Sequence, residues 1–224
     1  MKILLFGAPG MVGQGVLIEC LHAADVSLVQ SVGRTALDQQ HPKLRDVVHK
    51  DLLDYRAIEP QLAGFDACFF CLGVTSSGKS EADYSRLTYD VTLAAATTLA
   101  RLNPQMTFVY VSGAGTDSTE KGRSMWARVK GRTENALLRL PFKAACMFRP
   151  GVIQPLRGVR SKTSSYQIFY SLLRPLLPLL RAMMPSTILT TEVVGQAMLA
   201  VARHGAPKPV LEAADINAIA AQHG

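Results

Sequence analysis

A glycine-spaced turn limits the architecture of this chain more than any other stretch. A short continuous apolar run, Lys2–Gly7 (KILLFG), leads into Gly7-Ala8-Pro9-Gly10-Met11-Val12-Gly13. Beyond the turn, Val12, Val16, Cys20 and Ala24, with Leu17 and Leu21, recur at helical spacing. An uninterrupted apolar run fits a strand buried on both faces. Strand, G-x-x-G-x-x-G turn and helix together begin a βαβ unit. In such a turn Gly7 allows the tight exit from the strand, Gly10 lets a diphosphate approach the backbone, and Gly13 lets the helix pack closely on the sheet. Pro9, Met11 and Val12 complete the loop. The N–H groups and dipole of the following helix N-terminus favour phosphate.

The same rhythm continues. Strand patterns fall at Val26–Val32, Leu44–His49, Asp66–Leu72, Thr107–Val111 and Ala144–Phe148. Helical patterns fall at about Tyr55–Leu62, Asp83–Leu102 and Ser124–Leu140, the second ending at Asn103-Pro104. Strands alternating with helices require crossovers, hence an α/β fold with a doubly wound parallel sheet and helices on both faces. After Arg149 the rhythm loosens into helical stretches at about Tyr166–Leu180 and Glu192–His204, a short strand at Pro209–Leu211 and a final helix from about Asp215. At 224 residues the chain is expected to form one domain, residues 1–224. With 48% hydrophobic and 18% charged residues, disorder is excluded.

Cys68 and Cys71 make a C-x-x-C, but inside the apolar run DACFFCLG, where residues three apart point to opposite faces of a strand. The other cysteines and the five histidines lack zinc spacing, so no metal site is expected. Four cysteines do not make a disulfide framework, which fits a reducing cytoplasm. No uncharged apolar run reaches the roughly 18 residues of a membrane span. The apolar N-terminus reads as a buried strand rather than a signal peptide.

The second strand pattern is followed by Gly33-Arg34-Thr35. A carboxylate there would bind the ribose hydroxyls of NAD. Arg34 instead can pair bidentately with the 2′-phosphate of NADP, so NADP is favoured over NAD. Asp51 and Leu52 follow the third strand beside the expected adenine position. Leu72 and Gly73 end the fourth, where the carboxyl edge of the sheet lines the cofactor crevice. Charge is concentrated: of 24 Lys/Arg and 17 Asp/Glu, residues 121–181 hold thirteen bases and a single acid, Glu134. A local field of that sign favours an anionic partner. Aromatics are only 7% and no recognition motif occurs, so steering of cofactor phosphate explains the charge more simply than nucleic acid does.

The turn GAPGMVGQGV, VGR after strand two, CLG after strand four, YVSG after strand five, Lys130-Gly131 on the next helix and Arg149-Pro150-Gly151 after strand six resemble the atypical short-chain dehydrogenase/reductase family. Within it, the chain looks like the small NAD-dependent epimerase-like and Tat-interacting-protein-like branch, over about residues 1–155. The resemblance implies a Rossmann-type sheet with a small C-terminal helical cap, a substrate-cap region at 152–190 edged by Arg174 and Arg181, and a nicotinamide cofactor. It also implies a Ser/Tyr/Lys set in which the tyrosine exchanges the substrate proton, the lysine holds the nicotinamide ribose and the serine steadies the carbonyl. Ser112 and Lys130 match two members of that set, eighteen residues apart, and Pro150 and Gly151 match the loop that closes over the nicotinamide.

Two positions depart from the pattern. Trp126 stands four residues before Lys130, and an indole N–H has no useful acid–base pKa. Gly113 stands where the second serine hydroxyl is expected, with Thr116 and Ser118 nearby as substitutes. Lys130 either serves the cofactor or pairs with Glu134 at i+4. Trp126 is either core packing or a platform over the nicotinamide. Tyr84, Tyr89, Tyr110, Tyr166 and Tyr170 are replacement phenols without the expected spacing. Two functions follow: an NADP-dependent oxidoreductase or epimerase-like enzyme on a small anionic or lipophilic substrate, working alone or as a homodimer, or a non-catalytic NADPH-binding redox sensor or interaction module.

Overall fold

The computed structural model describes residues 1–156 and 188–223. Nine strands occur among the described residues: β1 (Lys2–Phe6), β2 (Leu28–Gly33), β3 (Leu44–Val48), β4 (Ala67–Phe70), β5 (Thr107–Val111), β6 (Ala144–Arg149), β7 (Val152–Gln154), β8 (Ile188–Thr190) and β9 (Val210–Glu212). Seven form one sheet in the order β3-β2-β1-β4-β5-β6-β9, with every neighbouring pair parallel. The order reverses between β1 and β4, which is the doubly wound Rossmann arrangement. β7 and β8 form a separate parallel pair. Each has three residues, too short to leave a period in the sequence.

Helices cover both faces, because successive strand residues point to opposite sides. On one face Ile3, Leu5, Val29, Phe69, Val109 and Phe148 pack against α1 (Met11–His22), α6 (Thr191–His204) and α7 (Ala213–His223). On the other, Leu4, Phe6, Val32, Phe70, Phe108 and Tyr110 meet α2 (Glu59–Leu62), α4 (Val91–Leu102) and α5 (Met125–Leu137). Phe6, Phe70 and Phe108 stack across three neighbouring strands at centroid distances of 5.1 and 5.9 Å. Cys68 and Cys71 separate to the two faces as the strand geometry requires. Burial pushes the Cys71 thiol up to about 12 and raises Cys68 as well, so neither is a ready thiolate.

The expected helix at 83–102 differs in two respects. It begins earlier, as α3 (Glu81–Ser85), because the Ser80 hydroxyl caps it by accepting from the Asp83 N–H at 3.1 Å. It also carries a π-helical turn at Arg86–Asp90 before α4 resumes. That turn buries the Thr88 hydroxyl with no hydrogen-bond partner among the described residues. The helix expected at about 166–180, most of the 152–190 cap, Tyr166, Tyr170, Arg174 and Arg181 lie outside the described residues. No helix among the described residues is long and apolar enough to cross a membrane.

Candidate functional site

A parallel sheet brings the carboxyl ends of all its strands to one edge. Gly7 after β1, Arg34 after β2, Asp51 and Leu52 after β3, Leu72 and Gly73 after β4, Ser112 after β5, and Pro150 and Gly151 after β6 therefore lie along a single rim. Register keeps the central ones level: Phe6 sits opposite Phe70, Phe70 opposite Tyr110, and Val111 opposite Phe148.

At the glycine turn, Gly7 has φ +80°, and a Cβ there would lie 2.6 Å from the Cys71 carbonyl carbon and the Leu72 nitrogen. A Cβ on Gly13 would lie 2.1 Å from the Gly7 carbonyl oxygen. Neither position tolerates a side chain, so strand, turn and helix are locked together. The loop is further held by Gly10 N–H donating to the Gly7 carbonyl at 2.9 Å and the Gln14 amide donating to the Pro9 carbonyl at 2.9 Å. Gly10 is the N-cap of α1, with no side-chain cap and no acid in the first turn. The N–H groups of Met11, Val12 and Gly13 thus project from the helix end without intrahelical acceptors. A bare, uncapped helix start beside a Cβ-free loop fits a diphosphate.

At the adenosine end, the His49 N–H donates to the Gly33 carbonyl at 2.8 Å, which ties the chain leaving β3 to the chain leaving β2. Arg34 is exposed there and pairs with no acid among the described residues. Asp51 is exposed, and its carboxylate accepts from the Leu53 N–H at 3.0 Å. Leu52 and Leu72 are half-buried and pack on the Phe6–Phe70 core, whereas Gly73 faces open space.

At the other end, Lys130 of α5 donates to the Ser112 carbonyl and lies 3.5 Å from the Val111 carbonyl. Its Nζ also sits 5.9 Å above the Tyr110 ring. Partial removal from water pulls the amine down to about 8, against the opposing pull of Glu134. Glu134 is not the ion-pair partner of Lys130. Its carboxylate is 1% exposed and accepts from the Ser112 hydroxyl at 2.5 Å and from Arg149 at 2.5 and 3.1 Å. Arg149 continues to Ser118 at 2.6 Å and to Glu212 at 3.2 Å. These contacts, led by the one to Glu134, raise its pKa further.

The hydroxyls weighed for catalysis are therefore committed elsewhere. Ser112 turns its hydroxyl inward to Glu134 and to the Phe148 carbonyl at 3.1 Å. Thr116 is buried and donates to the Gly113 carbonyl at 2.7 Å, and Ser118 is taken by Arg149. Among the phenols, Tyr84 and Tyr110 are buried, and the Tyr89 ring lies under Arg132 at 4.0 Å. Trp126, half-buried in the first turn of α5, lies along the 113–116 loop, its Cη2 3.6 Å from where a Gly115 Cβ would stand. Pro150 is buried and its carbonyl accepts from the Ala114 N–H at 2.9 Å, while Gly151 is exposed.

Two bases of the stretch are internally matched: Arg128 pairs with Glu81 at 2.6 Å and Arg149 with Glu134 and Glu212. The sequence reading missed Glu134 as a buried partner. Its signal was there, a lone acid among thirteen bases.

No family model matches the chain. It is 28% identical to Protein HTATIP2 of Rattus norvegicus over 155 residues, covering 68% of this chain. The chain spans 62% of the length of that relative. It is 27% identical to Protein FMP52-2, mitochondrial, of Scheffersomyces stipitis over 163 residues, covering 72% of this chain and 69% of the relative. Among solved structures, the Bordetella bronchiseptica enzyme WbmF in complex with NAD+ superposes with a TM-score of 0.68 at 16% identity, covering 99% of this chain and 76% of that one. The last likeness is one of fold.

Proposed function

We propose that this chain, a member of the atypical short-chain dehydrogenase/reductase family by its relation to HTATIP2 and FMP52-2, binds NADP(H) along the carboxyl rim of its sheet. The observation that carries the reading is the Cβ-free cradle of Gly7, Gly10 and Gly13 at an uncapped helix start, with Arg34 exposed at the end of the adjacent strand. In this reading the N–H groups of Met11, Val12 and Gly13 hold the diphosphate, with Pro9 shaping the loop. Arg34 takes the 2′-phosphate, Asp51 and Leu52 flank the adenine, and Leu72 and Gly73 floor the crevice. Lys130 donates to the nicotinamide ribose, and Pro150 and Gly151 edge the nicotinamide. The bound dinucleotide supplies hydride chemistry.

Two readings of the reaction follow. In the first, the protein is an oxidoreductase or epimerase-like enzyme on a small anionic or lipophilic substrate. In the second, it binds NADPH without turnover, as a redox sensor or interaction module. The second is favoured by a specific geometry: no phenol stands at position 126, and the Ser112 hydroxyl is bound to Glu134 rather than offered to a substrate. Because its cysteines are free thiols, we assign the protein to a reducing compartment and take this to be the cytoplasm; the fungal relative carries a mitochondrial label.

Calorimetric titration with NADPH and NADH tests the binding reading. NADPH should bind more tightly than NADH, and Arg34→Gln should weaken NADPH by roughly 10- to 100-fold while sparing NADH. Absence of heat with both dinucleotides would overturn it. NADPH oxidation across a panel of carbonyl and sugar-nucleotide substrates separates enzyme from binding module.

A further inference from the structure

We infer that Glu134 is a positioning residue: acting through Ser112, it fixes the direction in which Lys130 presents its ammonium to the nicotinamide ribose. The inference rests on the cofactor reading above and adds a device to it. Three facts carry it. Glu134 is an almost fully buried carboxylate one helical turn beyond Lys130, yet its oxygens go to Ser112 and Arg149. Ser112 is bonded in two directions at once: its hydroxyl donates to Glu134, and its backbone carbonyl accepts from Lys130 Nζ. Lys130 has no carboxylate within ion-pair distance among the described residues, so the direction of its amine is set by the carbonyls of Val111 and Ser112.

The Ser112 peptide is thus the hinge between a buried ion pair and the amine end of the half-buried lysine. Its N–H is anchored on the Phe148 carbonyl at 2.9 Å, and its hydroxyl is anchored on Glu134 and on that same carbonyl. With both anchors made, the Ser112 carbonyl has one orientation and draws Lys130 to the rim. Arg149 holds Glu134 in place from β6 and ties it to Glu212 at the end of β9. The serine that occupies the catalytic position in sequence therefore works here from behind the lysine. It keeps its hydroxyl at the cost of any contact with substrate.

The test uses the full chain and two probes: NADPH, which reaches Lys130, and adenosine 2′,5′-bisphosphate, which occupies only the adenosine end. Glu134→Gln, Ser112→Ala, Lys130→Ala and the double variant Glu134→Gln/Lys130→Ala are titrated with both. Glu134→Gln and Ser112→Ala should each weaken NADPH on the order of tenfold, the worth of one misaimed hydrogen bond to a charged group, and leave the bisphosphate within about twofold. The double variant should bind NADPH no worse than Lys130→Ala alone, since both changes remove one interaction. Ser112→Ala leaves the buried ion pair intact, so it still reports if Glu134→Gln does not fold. Additive losses, equal weakening of both probes, or an unaffected Ser112→Ala overturns the inference while leaving the cofactor reading standing. A wild-type chain that binds neither probe overturns the cofactor reading itself, and this inference with it.

Discussion

Replacing Gly131 by alanine isolates the contact between α5 and the backbone of the 117–118 loop. A Cβ at Gly131 would stand 1.8 Å from the Asp117 carbonyl oxygen, 2.5 Å from its carbon and 3.1 Å from the Ser118 nitrogen. Ordinary contact begins near 3.4 Å, so the loop backbone must retreat by about 1.6 Å. It is poorly placed to do so. The Asp117 N–H donates to the Ala127 carbonyl at 3.1 Å, and the Asp117 carboxylate accepts from Thr119 at 2.7 and 3.0 Å and from the Gly122 N–H at 2.6 Å. Asn135 and Arg149 hold Ser118 at 2.9 and 2.6 Å. Losing two or three of these bonds costs about 1 kcal/mol each, while alanine returns about 1 kcal/mol of helix propensity. The overlap itself adds strain of about 1–3 kcal/mol, so the net loss is about 2–5 kcal/mol, or a fall in Tm of roughly 4–20 °C for a chain of this size. Thermal unfolding followed by circular dichroism reads it directly. A variant as stable as the wild type, or more so, would mean that the loop yields freely and that the Lys130-Gly131 pair has no steric basis.

Four other outcomes follow from the same geometry. The Lys130 amine, lowered to about 8, should make NADPH affinity fall above about pH 8 by up to tenfold per unit, a dependence that Lys130→Met abolishes; a flat profile in the wild type refutes it. For stability the sign is opposite to a usual salt bridge. Between pH 8 and 10.5 the unfolded lysine keeps a proton that the folded one has lost, so this group makes stability rise with pH across that window, and Lys130→Met should flatten the slope in urea titrations. Arg149→Met strands the Glu134 carboxylate and should cost about 3–5 kcal/mol, with Glu134→Met in the same chain recovering much of it; a single variant within 1 kcal/mol of wild type, about the noise of such measurements, contradicts the pairing. Trp126→Tyr restores a phenol four residues before Lys130 but not a substrate-facing serine, so it should raise NADPH oxidation no further than the wild-type level; brisk turnover by this variant would show that Ser112 is dispensable.

The sheet, its parallel direction and the glycine cradle were legible because each leaves a local mark: a continuous apolar run, a G-x-x-G-x-x-G spacing, a helical period. The boundaries moved where capping rather than periodicity decided them, as at Ser80, whose hydroxyl starts α3 before the apolar pattern does. The π-helical turn at Arg86–Asp90 had no mark, since one extra residue in a helix shifts the period too little to read. Side-chain direction was illegible for a deeper reason. Ser112 occupies the expected place in the chain, but whether its hydroxyl faces the crevice or the core depends on Glu134 and Arg149, which lie 22 and 37 residues further on.

This bears on what the missing phenol means. Had Ser112 faced the crevice, Trp126 would be a single substitution in an otherwise ready site. Instead, position 126, four before Lys130, and position 113, after Ser112, lack a group that could exchange a proton with a substrate, and the Ser112 hydroxyl is bound to Glu134. The features that would hold a dinucleotide are intact over the same rim: Gly7 and Gly13 admit no side chain, and Lys130 is held at the edge of the sheet by backbone carbonyls. A cradle without proton-handling groups at these positions fits the proposed binding without turnover better than the proposed catalysis. Cofactor affinity, measured separately from turnover, is therefore the property of this chain that the geometry supports most directly.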